Sequence, residues 1–356
     1  MVVKGLDLRR TATVDGLRRR SRELRVWSSS HSAAPPIGCT PSTSQPIVRK
    51  EPVAMTDVIV VGGSYAGLAA AMQLGRARRT VLVVDAGQRR NRVVSRAHGV
   101  LGFDGESPAV IAAKGKHQVL EYPSVHWLDG AATAARSVAG GFAVSVGGQE
   151  HFAKRLILAT GVVDEIPSIP GFPERWGKTI FHCPYCDGYE LERGRLGVLG
   201  AGPVAQHYAA IVSEWSSREG TTLFLNDGVA PSTGELAELT SRGIHVESAS
   251  VLEAKDGASG MELVVRGGRQ YGLAAVFVLP QTRLPGAFAQ QLGCEIESGP
   301  TGSVYKTDPR TKETTVKGVY AAGDAGLALH SVTFAMADGA RAGTSAHQSL
   351  VFGEEP

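Results

Sequence analysis

The first regular pattern in the chain is a short apolar run followed by a glycine-rich turn. Residues 57–61 are apolar after the first position, residues 62–67 read Gly-Gly-Ser-Tyr-Ala-Gly, and residues 68–74 have the composition of a helix. A second apolar run, 81–84, ends at Asp85. Short apolar runs that are bounded by glycine and separated by a helical stretch are typical of parallel strands in an α/β fold. We therefore predict a strand, a turn, a helix and a second strand over these residues.

The same order of elements recurs in the middle of the chain. A strand is predicted at 196–199, a turn at 200–205, a helix at 204–215 and a further strand at 222–225. The turn matches the pattern Gly-x-Gly-x-x-Ala of dinucleotide-binding folds. Two such units in a chain of 356 residues predict two Rossmann-like domains. The residues assigned to the second nucleotide site are Gly200, Gly202 and Pro203.

The first turn has the residue types that a pyrophosphate group needs. Gly62 makes the tight turn, Gly67 lets the helix pack on the strand, and the helix N-terminus faces the phosphates. Ser64 stands at the middle glycine position, where it narrows the approach of the backbone to the phosphate. Asp85 ends the second strand, where an acidic side chain binds a ribose hydroxyl; the alternative is an ordinary strand-to-helix turn. The residues assigned to this site are Gly62, Ser64, Tyr65, Ala66, Gly67 and Asp85.

Two later strand ends belong with the first unit. The apolar run 156–158 leads to Ala159-Thr160-Gly161, and a strand that starts at Val319 ends in Gly323-Asp324. An aspartate after that last strand can hydrogen-bond ligand hydroxyls, and residues 331–340 predict a helix whose N-terminal dipole can face a ring carbonyl. The cofactor-binding residues assigned in these segments, together with Asn91, are Thr160, Gly161, Gly323, Asp324, Val332 and Thr333.

A cysteine pair lies between the two units, at Cys183 and Cys186, and Asp187 follows it directly. Two cysteines separated by two residues on a helical turn can close and reopen a disulfide, and one thiol of such a pair ionises readily. Asp187 is placed to pass a proton to a leaving thiolate. The predicted catalytic residues are Cys183, Cys186 and Asp187.

A zinc site is the alternative interpretation of this spacing. Structural zinc needs four ligands, usually from two such pairs. The chain has only 4 cysteines, and Cys39 and Cys294 stand alone. His182 adjoins the pair, but no second pair accompanies it. We therefore predict no metal site.

These motifs, in this order, resemble the low-molecular-weight thioredoxin reductases, which are FAD-dependent pyridine nucleotide-disulfide oxidoreductases. The resemblance runs from about Asp57 to Leu350. It implies an α/β fold of two Rossmann-like FAD/NAD(P)-binding domains, the second inserted into the first. Residues 55–163 and 284–356 would form the FAD-binding domain, and residues 164–283 the inserted NAD(P)-type domain that carries the cysteine pair. The motifs behind the resemblance are at 62–67, 159–161, 183–188, 200–205 and 321–324.

The resemblance also implies a path for electrons and a partner. Electrons would pass from NAD(P)H through FAD to the Cys183–Cys186 disulfide, and then to a protein disulfide such as that of thioredoxin. Cys186 would lie nearer the flavin, Cys183 would attack the substrate disulfide, and Asp187 would donate a proton. The family implies a homodimer whose domains rotate between flavin reduction and substrate access.

The nicotinamide site departs from the family pattern. Leu225-Asn226-Asp227 stands where reductases of the family carry a His-Arg-Arg run that holds the 2′-phosphate of NADPH. Because Asp227 would repel that phosphate, we expect NADPH to be no more than about tenfold better than NADH. One alternative is a Rossmann-shaped domain that no longer binds a nucleotide well, with another donor in its place. A hundredfold preference for NADPH would instead mean that an arginine elsewhere, such as Arg266 or Arg269, holds the 2′-phosphate.

The cysteine segment departs as well. Pro184-Tyr185 replaces the usual Ala-Thr between the cysteines, and residues 182–190 also resemble the small-molecule dithiol oxidases, which place a histidine where this chain has Asp187. Three functions therefore remain open. The first is a reductase of protein disulfides, the second an FAD-dependent oxidase that closes a disulfide in a small molecule with oxygen as acceptor, and the third a flavoprotein with a regulatory role.

Charge and hydropathy argue against two classes of partner. The formal net charge is +3, but residues 1–54 carry 10 basic and 4 acidic residues, a net +6, so residues 55–356 sum to −3 and nothing there indicates nucleic acid. No apolar run approaches the roughly 20 residues of a membrane span, and the sparse cysteines favour the cytoplasm.

Residues 1–54 are a disordered tail, a transit peptide or a spurious extension upstream of Met55, and we favour the last.

Overall fold

The computed structural model describes residues 55–217 and 220–353 as an α/β protein. Residues 1–54, with Cys39 and the interpretations of that segment, lie outside the described residues. The strands are β1 (Thr56–Val61), β2 (Val81–Asp85), β3 (Val125–Asp129), β4 (Ala132–Val138), β5 (Gly141–Val146), β6 (Gln149–Leu158), β7 (Val163–Glu165), β8 (Ile180–Phe181), β9 (Leu196–Leu199), β10 (Thr221–Phe224), β11 (Ile244–Glu247), β12 (Val251–Gly257), β13 (Gly260–Val265), β14 (Gln270–Leu273), β15 (Ala275–Val278), β16 (Gln281–Arg283), β17 (Ile296–Gly299), β18 (Gly302–Tyr305) and β19 (Val319–Ala321). The helices are α1 (Tyr65–Arg76), α2 (Pro108–Leu120), α3 (Phe172–Arg175), α4 (Pro184–Asp187), α5 (Gly202–Val212), α6 (Thr233–Ser241), α7 (Phe288–Leu292) and α8 (Val332–Val351).

The first sheet contains the strand that leads into the first glycine turn. It is seven-stranded, with the order β3-β2-β1-β6-β5-β4, and β19 also pairs with β6. The strands β1, β2, β3, β6 and β19 are parallel, whereas β4 and β5 are antiparallel to their neighbours. Strand β19 follows all strands of the second unit in the sequence, yet it pairs with β6 in the first sheet. The predicted insertion of one Rossmann-like domain into another is therefore confirmed.

Alternate residues of β1 fill two apolar layers. Val58 and Val60 belong to the core formed with α1, α2 and α8. Ile59 and Val61 belong to the core on the opposite face, with Phe142 of β5. A strand buried on both faces reads as a continuous apolar run, which is why the sequence shows one here. Each fully buried aliphatic side chain of this kind stabilises the fold by roughly 1.5–3 kcal/mol.

The second sheet belongs to the second glycine turn. Its five strands have the order β11-β10-β9-β15-β8 and all run parallel. One face packs against α5 through residues such as Ala209, and the other packs against the three-stranded sheet β12-β13-β14 through residues such as Leu263. The second unit is therefore a second layered α/β structure with its own core.

The chain enters and leaves the second unit at one place. Strands β7 and β16 pair antiparallel, with Asp164 opposite Thr282, within a four-stranded sheet of order β17-β18-β16-β7. The two crossings between the units therefore lie side by side. The predicted domain boundaries at 163/164 and 283/284 fall in this pair of strands and stay a prediction.

The predicted elements agree with those observed. Strand β9 has the predicted bounds, and α1 extends the helix predicted at 68–74 by a turn or less at each end. The helix predicted at 204–215 ends as α5 at Val212 and continues as a 3₁₀ turn, Ser213–Trp215. Within the two described ranges, no helix is both long and apolar enough to span a bilayer.

Candidate functional site

The first glycine turn brings two backbone segments into close contact. Gly62 has φ +106°, and a Cβ there would lie 2.2 Å from the carbonyl oxygen of Ala159. A Cβ at Gly67 would lie 1.8 Å from the carbonyl oxygen of Gly62. Both positions therefore require glycine. Ser64 precedes α1 without making a side-chain cap hydrogen bond, so the first N–H groups of the helix are available to an anionic ligand.

Asp85 ends β2 beside this turn. Its Oδ1 accepts a hydrogen bond from the backbone N–H of Gly63 at an N···O distance of 3.2 Å. Since β1 and β2 are parallel neighbours, their carboxyl ends meet at one edge of the sheet. The carboxylate thus lies next to the turn, and its contact with a ribose hydroxyl stays a prediction.

A cavity of about 640 Å³ extends from this turn to the cysteine pair. The predicted site residues that line it are Gly62, Ser64, Tyr65, Ala66, Asp85, Asn91, Thr160, Gly161, Cys186, Asp187, Asp324 and Val332. The predicted site residues that do not line it are Gly67, Cys183, Gly200, Gly202, Pro203, Gly323 and Thr333. Residues from distant parts of the chain therefore converge on one cavity, with the second glycine turn outside it.

An arginine that the sequence did not single out lies in the cavity wall. Arg90 Nη1 donates to Asp324 Oδ2 at 2.9 Å, and Nη2 donates to Asp164 Oδ1 at 2.5 Å. The Arg90 side chain is 14% exposed. Burial disfavours its charge, but Asp164 and Asp324 outweigh burial and raise the pKa of Arg90. The carboxylate that was assigned to ligand hydroxyls is thus held by a buried cation.

Tyr65 orients the amide of Asn91 at the edge of the cavity. Asn91 Nδ2 donates to Tyr65 Oη at 3.1 Å, and Tyr65 Oη lies 3.3 Å from the carbonyl oxygen of Pro108, to which it donates. Burial raises the pKa of Tyr65, so the phenol stays protonated. The first residue of α1 therefore fixes a polar group that comes from the turn after β2.

A buried ion pair fastens the turn that carries Asp324. Lys312 Nζ lies 3.2 Å from Asp338 Oδ1 and donates to the carbonyl oxygen of Gly326 at 3.2 Å. The backbone N–H of Gly323 donates to Asp338 Oδ2 at 3.1 Å. The Lys312 and Asp338 side chains are 5% and 8% exposed. Both ends of the turn are thereby tied to this pair.

The start of α8 lies at the cavity, but one of its two predicted contacts points elsewhere. Val332 lines the cavity. The hydroxyl of Thr333 donates to the carbonyl oxygen of Gly99 at 3.0 Å. Thr333 thus links α8 to the loop that carries His98, and its cofactor contact stays a prediction.

The cysteine pair forms a disulfide at the start of α4. Cys183 and Cys186 are bonded, with a Cα–Cα distance of 5.2 Å. The backbone N–H groups of Cys186 and Asp187 both donate to the carbonyl oxygen of Cys183 at 3.2 Å. Cys186 lines the cavity and Cys183 does not. One cysteine of the pair therefore borders the cavity, while its partner does not.

Two tyrosines beside the disulfide are exposed. Tyr185 is 74% and Tyr189 86% exposed. The ring of Tyr185 meets Trp215 edge-on, with a centroid distance of 5.1 Å. The surface around the pair therefore offers aromatic area to a partner.

Asp187 has the acidity of a general acid. Burial, together with the charge of Glu190, raises its pKa to about 7, and His98 acts against both. A carboxyl group with such a pKa holds its proton for part of the time near neutral pH. Asp187 also lines the cavity beside Cys186.

Two histidines in the cavity wall are neutral. Burial lowers the pKa of His182 to about 3 and also lowers that of His330, and the charge of Arg90 contributes to both shifts. The His182 ring stacks on Trp176 at a centroid distance of 5.9 Å. The Nε2 atom of His330 is buried without a hydrogen-bond partner among the described residues. A buried polar atom of this kind suits a ligand that would satisfy it.

The second glycine turn lies between β9 and α5 and does not line the cavity. Helix α5 begins at Gly202, and Pro203 occupies its first turn. A Cβ at Gly202 would meet no atom of the described residues within 4 Å, so these residues leave space at this position. Gly200, Gly202 and Pro203 therefore lie together, on the inserted unit.

The fold and the site define a class of protein: a two-unit dinucleotide fold with a disulfide beside the cavity of the first unit. The sequence profile of the pyridine nucleotide-disulphide oxidoreductases matches residues 56–339. The chain belongs to that family and is an oxidoreductase of the low-molecular-weight thioredoxin reductase type.

Relatives and solved structures agree with this assignment. The chain is 33% identical over 310 residues to thioredoxin reductase tcpT of Claviceps purpurea, covering 83% of this chain and 95% of that protein. It is 30% identical over 309 residues to thioredoxin reductase sirT of Leptosphaeria maculans, covering 81% and 92%. The crystal structure of an oxidoreductase from Agrobacterium tumefaciens is 45% identical and superposes with a TM-score of 0.80, covering 84% of this chain and 99% of that one.

Family membership implies FAD and NAD(P)H as cofactors. The cavity over the first turn fits FAD, because it joins a glycine turn, a strand-end carboxylate and the buried His330 Nε2, for which no described residue is a hydrogen-bond partner. The open second turn fits a nicotinamide nucleotide.

Proposed function

We propose that the protein is an FAD-dependent reductase of protein disulfides, which passes electrons from NAD(P)H through FAD and the Cys183–Cys186 pair to a thioredoxin-like partner. FAD, when bound, would supply the two electrons that open the disulfide. The residues that would hold it are those of the first turn, Asp85, Asn91, the strand end at Thr160, and Asp324.

The observation that carries this proposal is the placement of the two cysteines. Cys186 borders the cavity, whereas Cys183 does not. A relay needs one sulfur within reach of the electron donor and another within reach of the substrate. The disulfide between them lets electrons that arrive at Cys186 leave from Cys183.

The exchange with the substrate then follows ordinary thiol chemistry. In the reduced pair, the Cys183 thiolate attacks one sulfur of the substrate disulfide, whose S–S bond breaks and releases one thiolate. The Cys186 thiolate next attacks the Cys183 sulfur, and the mixed disulfide breaks and releases the second thiolate. Two electrons leave the pair, the substrate disulfide is reduced, and the Cys183–Cys186 bond is restored.

Asp187 supplies one of the protons that the released thiolates take up. Its raised pKa, about 7, keeps the acid form populated at neutral pH. The ionised carboxylate can then recover a proton from solvent after each turnover. A residue in this position contributes roughly 100–10,000-fold to a rate when it acts as a general acid.

A second candidate function is the reverse reaction, in which a small dithiol is oxidised and oxygen accepts the electrons. The exposed rings of Tyr185 and Tyr189 favour it, because an aromatic surface beside the disulfide suits an apolar small molecule. Asp187 in place of the histidine of the dithiol oxidases favours the reductase.

One pair of assays separates the two. We expect oxidised thioredoxin to be reduced under anaerobic conditions with NADPH or NADH, and the Cys183→Ser variant to be inactive. Oxygen uptake that is driven by a small dithiol without coenzyme, combined with no reduction of thioredoxin, would instead assign the oxidase. The homodimer and the cytoplasmic location remain part of the proposal.

A further inference from the structure

The segment after β10 is locked in one shape. Asn226 and Asp227 have φ of +52° and +61°. The backbone N–H of Asp227 donates to the carbonyl oxygen of Ser248 at 3.2 Å, and Asn226 Oδ1 accepts from the backbone N–H of Val251 at 2.8 Å. Non-glycine residues hold the left-handed conformation only where neighbouring contacts fix it. The position of the Asp227 side chain is therefore well defined.

This segment lies directly against the second glycine turn. A Cβ at Gly228 would be 2.3 Å from Cβ of Ala201, the residue between the two glycines of that turn. In dinucleotide folds the residue at the end of this second strand selects the substituent at the ribose 2′ position. Asp227 stands at that point of the inserted unit.

An arginine from a hairpin later in the chain, Arg266, forms an ion pair with Asp227. Arg266 Nη2 donates to Asp227 Oδ2 at 2.9 Å, and the hydroxyl of Ser250 donates to the same oxygen. The backbone N–H of Arg266 also donates to the carbonyl oxygen of Ser250 at 2.9 Å. Arg266 follows β13 and comes 39 residues after Asp227 in the chain. The backbone and the side chain of Arg266 are thus both hydrogen-bonded within the cluster of Asp227 and Ser250.

Arg266 keeps donors for a ligand. Its side chain is 66% exposed, and among the described residues only its Nη2 contacts a carboxylate. A guanidinium carries five N–H donors in a planar fork that matches a phosphate group. Asp227 is ionised, since the Ser250 hydrogen bond, with Arg266, holds its pKa below the usual range. The pair is therefore close to neutral, and the repulsion expected between Asp227 and a phosphate is offset.

We propose that Arg266, positioned by Asp227 and Ser250, binds the 2′-phosphate of NADPH and supplies the cation that the segment Leu225-Asn226-Asp227 lacks. This inference rests on the proposed function, in which a nicotinamide nucleotide is the electron donor. It differs from the weak discrimination expected from the sequence, because NADPH then becomes the preferred coenzyme.

Arg269 on the same hairpin provides a matched control. It donates to Glu247 at 2.9 Å, and that carboxylate is only 3% exposed. Glu247 also accepts from Tyr271 Oη and from the backbone N–H of Ala249, so it keeps partners when Arg269 is replaced. Arg269→Gln and Arg266→Gln remove the same charge from the same hairpin, but only the second removes the cation at Asp227.

The test is calorimetric binding of NADP⁺ and NAD⁺ to the full-length, FAD-loaded protein and its two variants. We expect Arg266→Gln to weaken NADP⁺ binding at least about tenfold, equivalent to ~1.4 kcal/mol, and to change NAD⁺ binding by less than about twofold. Arg269→Gln should leave both affinities within about twofold of the wild type.

The remaining outcomes distinguish the role of Arg266 from the use of a nicotinamide nucleotide as electron donor. Unchanged NADP⁺ affinity in Arg266→Gln, or an equal loss for NADP⁺ and NAD⁺, would overturn the role of Arg266 while leaving a nicotinamide donor in place. A wild-type protein that binds neither nucleotide would overturn both that role and the donor in the proposed function.

Discussion

The imidazole Nε2 of His98 lies 3.4 Å from Oε1 of Glu190. The other ring nitrogen, Nδ1, lies 3.6 Å from Oδ1 of Asp104. His98 and Glu190 act on Asp187 in opposite directions, since Glu190 raises the pKa of that carboxyl group and His98 lowers it. The acidity of Asp187 beside the disulfide is thus set mainly by burial and adjusted in opposite directions by Glu190 and His98.

Replacing Glu190 and replacing His98 should shift the pH dependence of turnover in opposite directions. In its proposed role as general acid, Asp187 works in its protonated form, so the rate of disulfide reduction should fall as the pH rises through about 7. Glu190→Gln removes a charge that raises the pKa, and the fall should move to lower pH. His98→Gln removes an opposing influence, and the fall should move to higher pH. The pH profile of kcat with a disulfide substrate measures both, Glu192→Gln is the control, and shifts in the same direction would refute this account of Asp187.

Asp187→Asn should slow turnover without weakening the fold. We expect a loss of roughly 10–1000-fold, the range of a general acid's contribution or a little below it. Burial disfavours the ionised form of Asp187, so above pH 7 the folded protein must carry an unfavourable buried charge that asparagine removes. Urea unfolding at pH 8 should show the variant to be at least as stable as the wild type. A variant that retained full turnover would remove Asp187 from the catalytic residues.

The two cysteines of the pair should be separately indispensable. Cys183→Ser and Cys186→Ser should each abolish disulfide turnover and leave FAD bound, because the glycine turn and Asp324 do not depend on the disulfide. Cys294→Ser is the matched control, since Cys294 is a buried free cysteine elsewhere in the fold. Turnover at the wild-type rate in either variant of the pair would mean that electrons take another path.

The Lys312–Asp338 pair should stabilise both the fold and the flavin site. Removing one partner leaves a buried charge without its counterion, which costs about 3–5 kcal/mol. Lys312→Met and Asp338→Asn should therefore each lower the free energy of unfolding and release FAD more readily, because Gly323 and Gly326 lose their anchors. The double variant should recover part of the stability but not the flavin affinity. Single variants with unchanged flavin content would contradict a role in holding this turn.

Local sequence patterns predicted the strands and helices well, because the residues that a strand or helix must bury form an apolar pattern within that segment. The apolar run at 196–199 predicted the buried strand β9. Gly62 and Gly67 predicted a turn, because they stand where other backbone atoms lie too close for a side chain. Cys186 borders the cavity, and the role that the family resemblance gives it beside the flavin stays a prediction.

The ionic contacts at the site could not be predicted in the same way. Arg90 meets Asp324 across 234 residues of sequence, and Arg266 meets Asp227 across 39. Such pairs depend on how two folded segments pack, and no period or spacing in either segment records the partner. Arg89, Arg90 and Arg92 around Asn91 were the one local signal for a charged contact near Arg90. That signal does not specify which acidic residue they contact.

The most direct test of the electron path is an anaerobic titration with NADPH, followed at the visible absorption band of the flavin. Flavin and disulfide each take two electrons, so full bleaching of the wild type should require about two equivalents of coenzyme per chain. The Cys183→Ser/Cys186→Ser double variant should need about one. If about one equivalent bleaches both proteins, the disulfide does not exchange electrons with the flavin, and the relay through Cys186 and Cys183 is wrong.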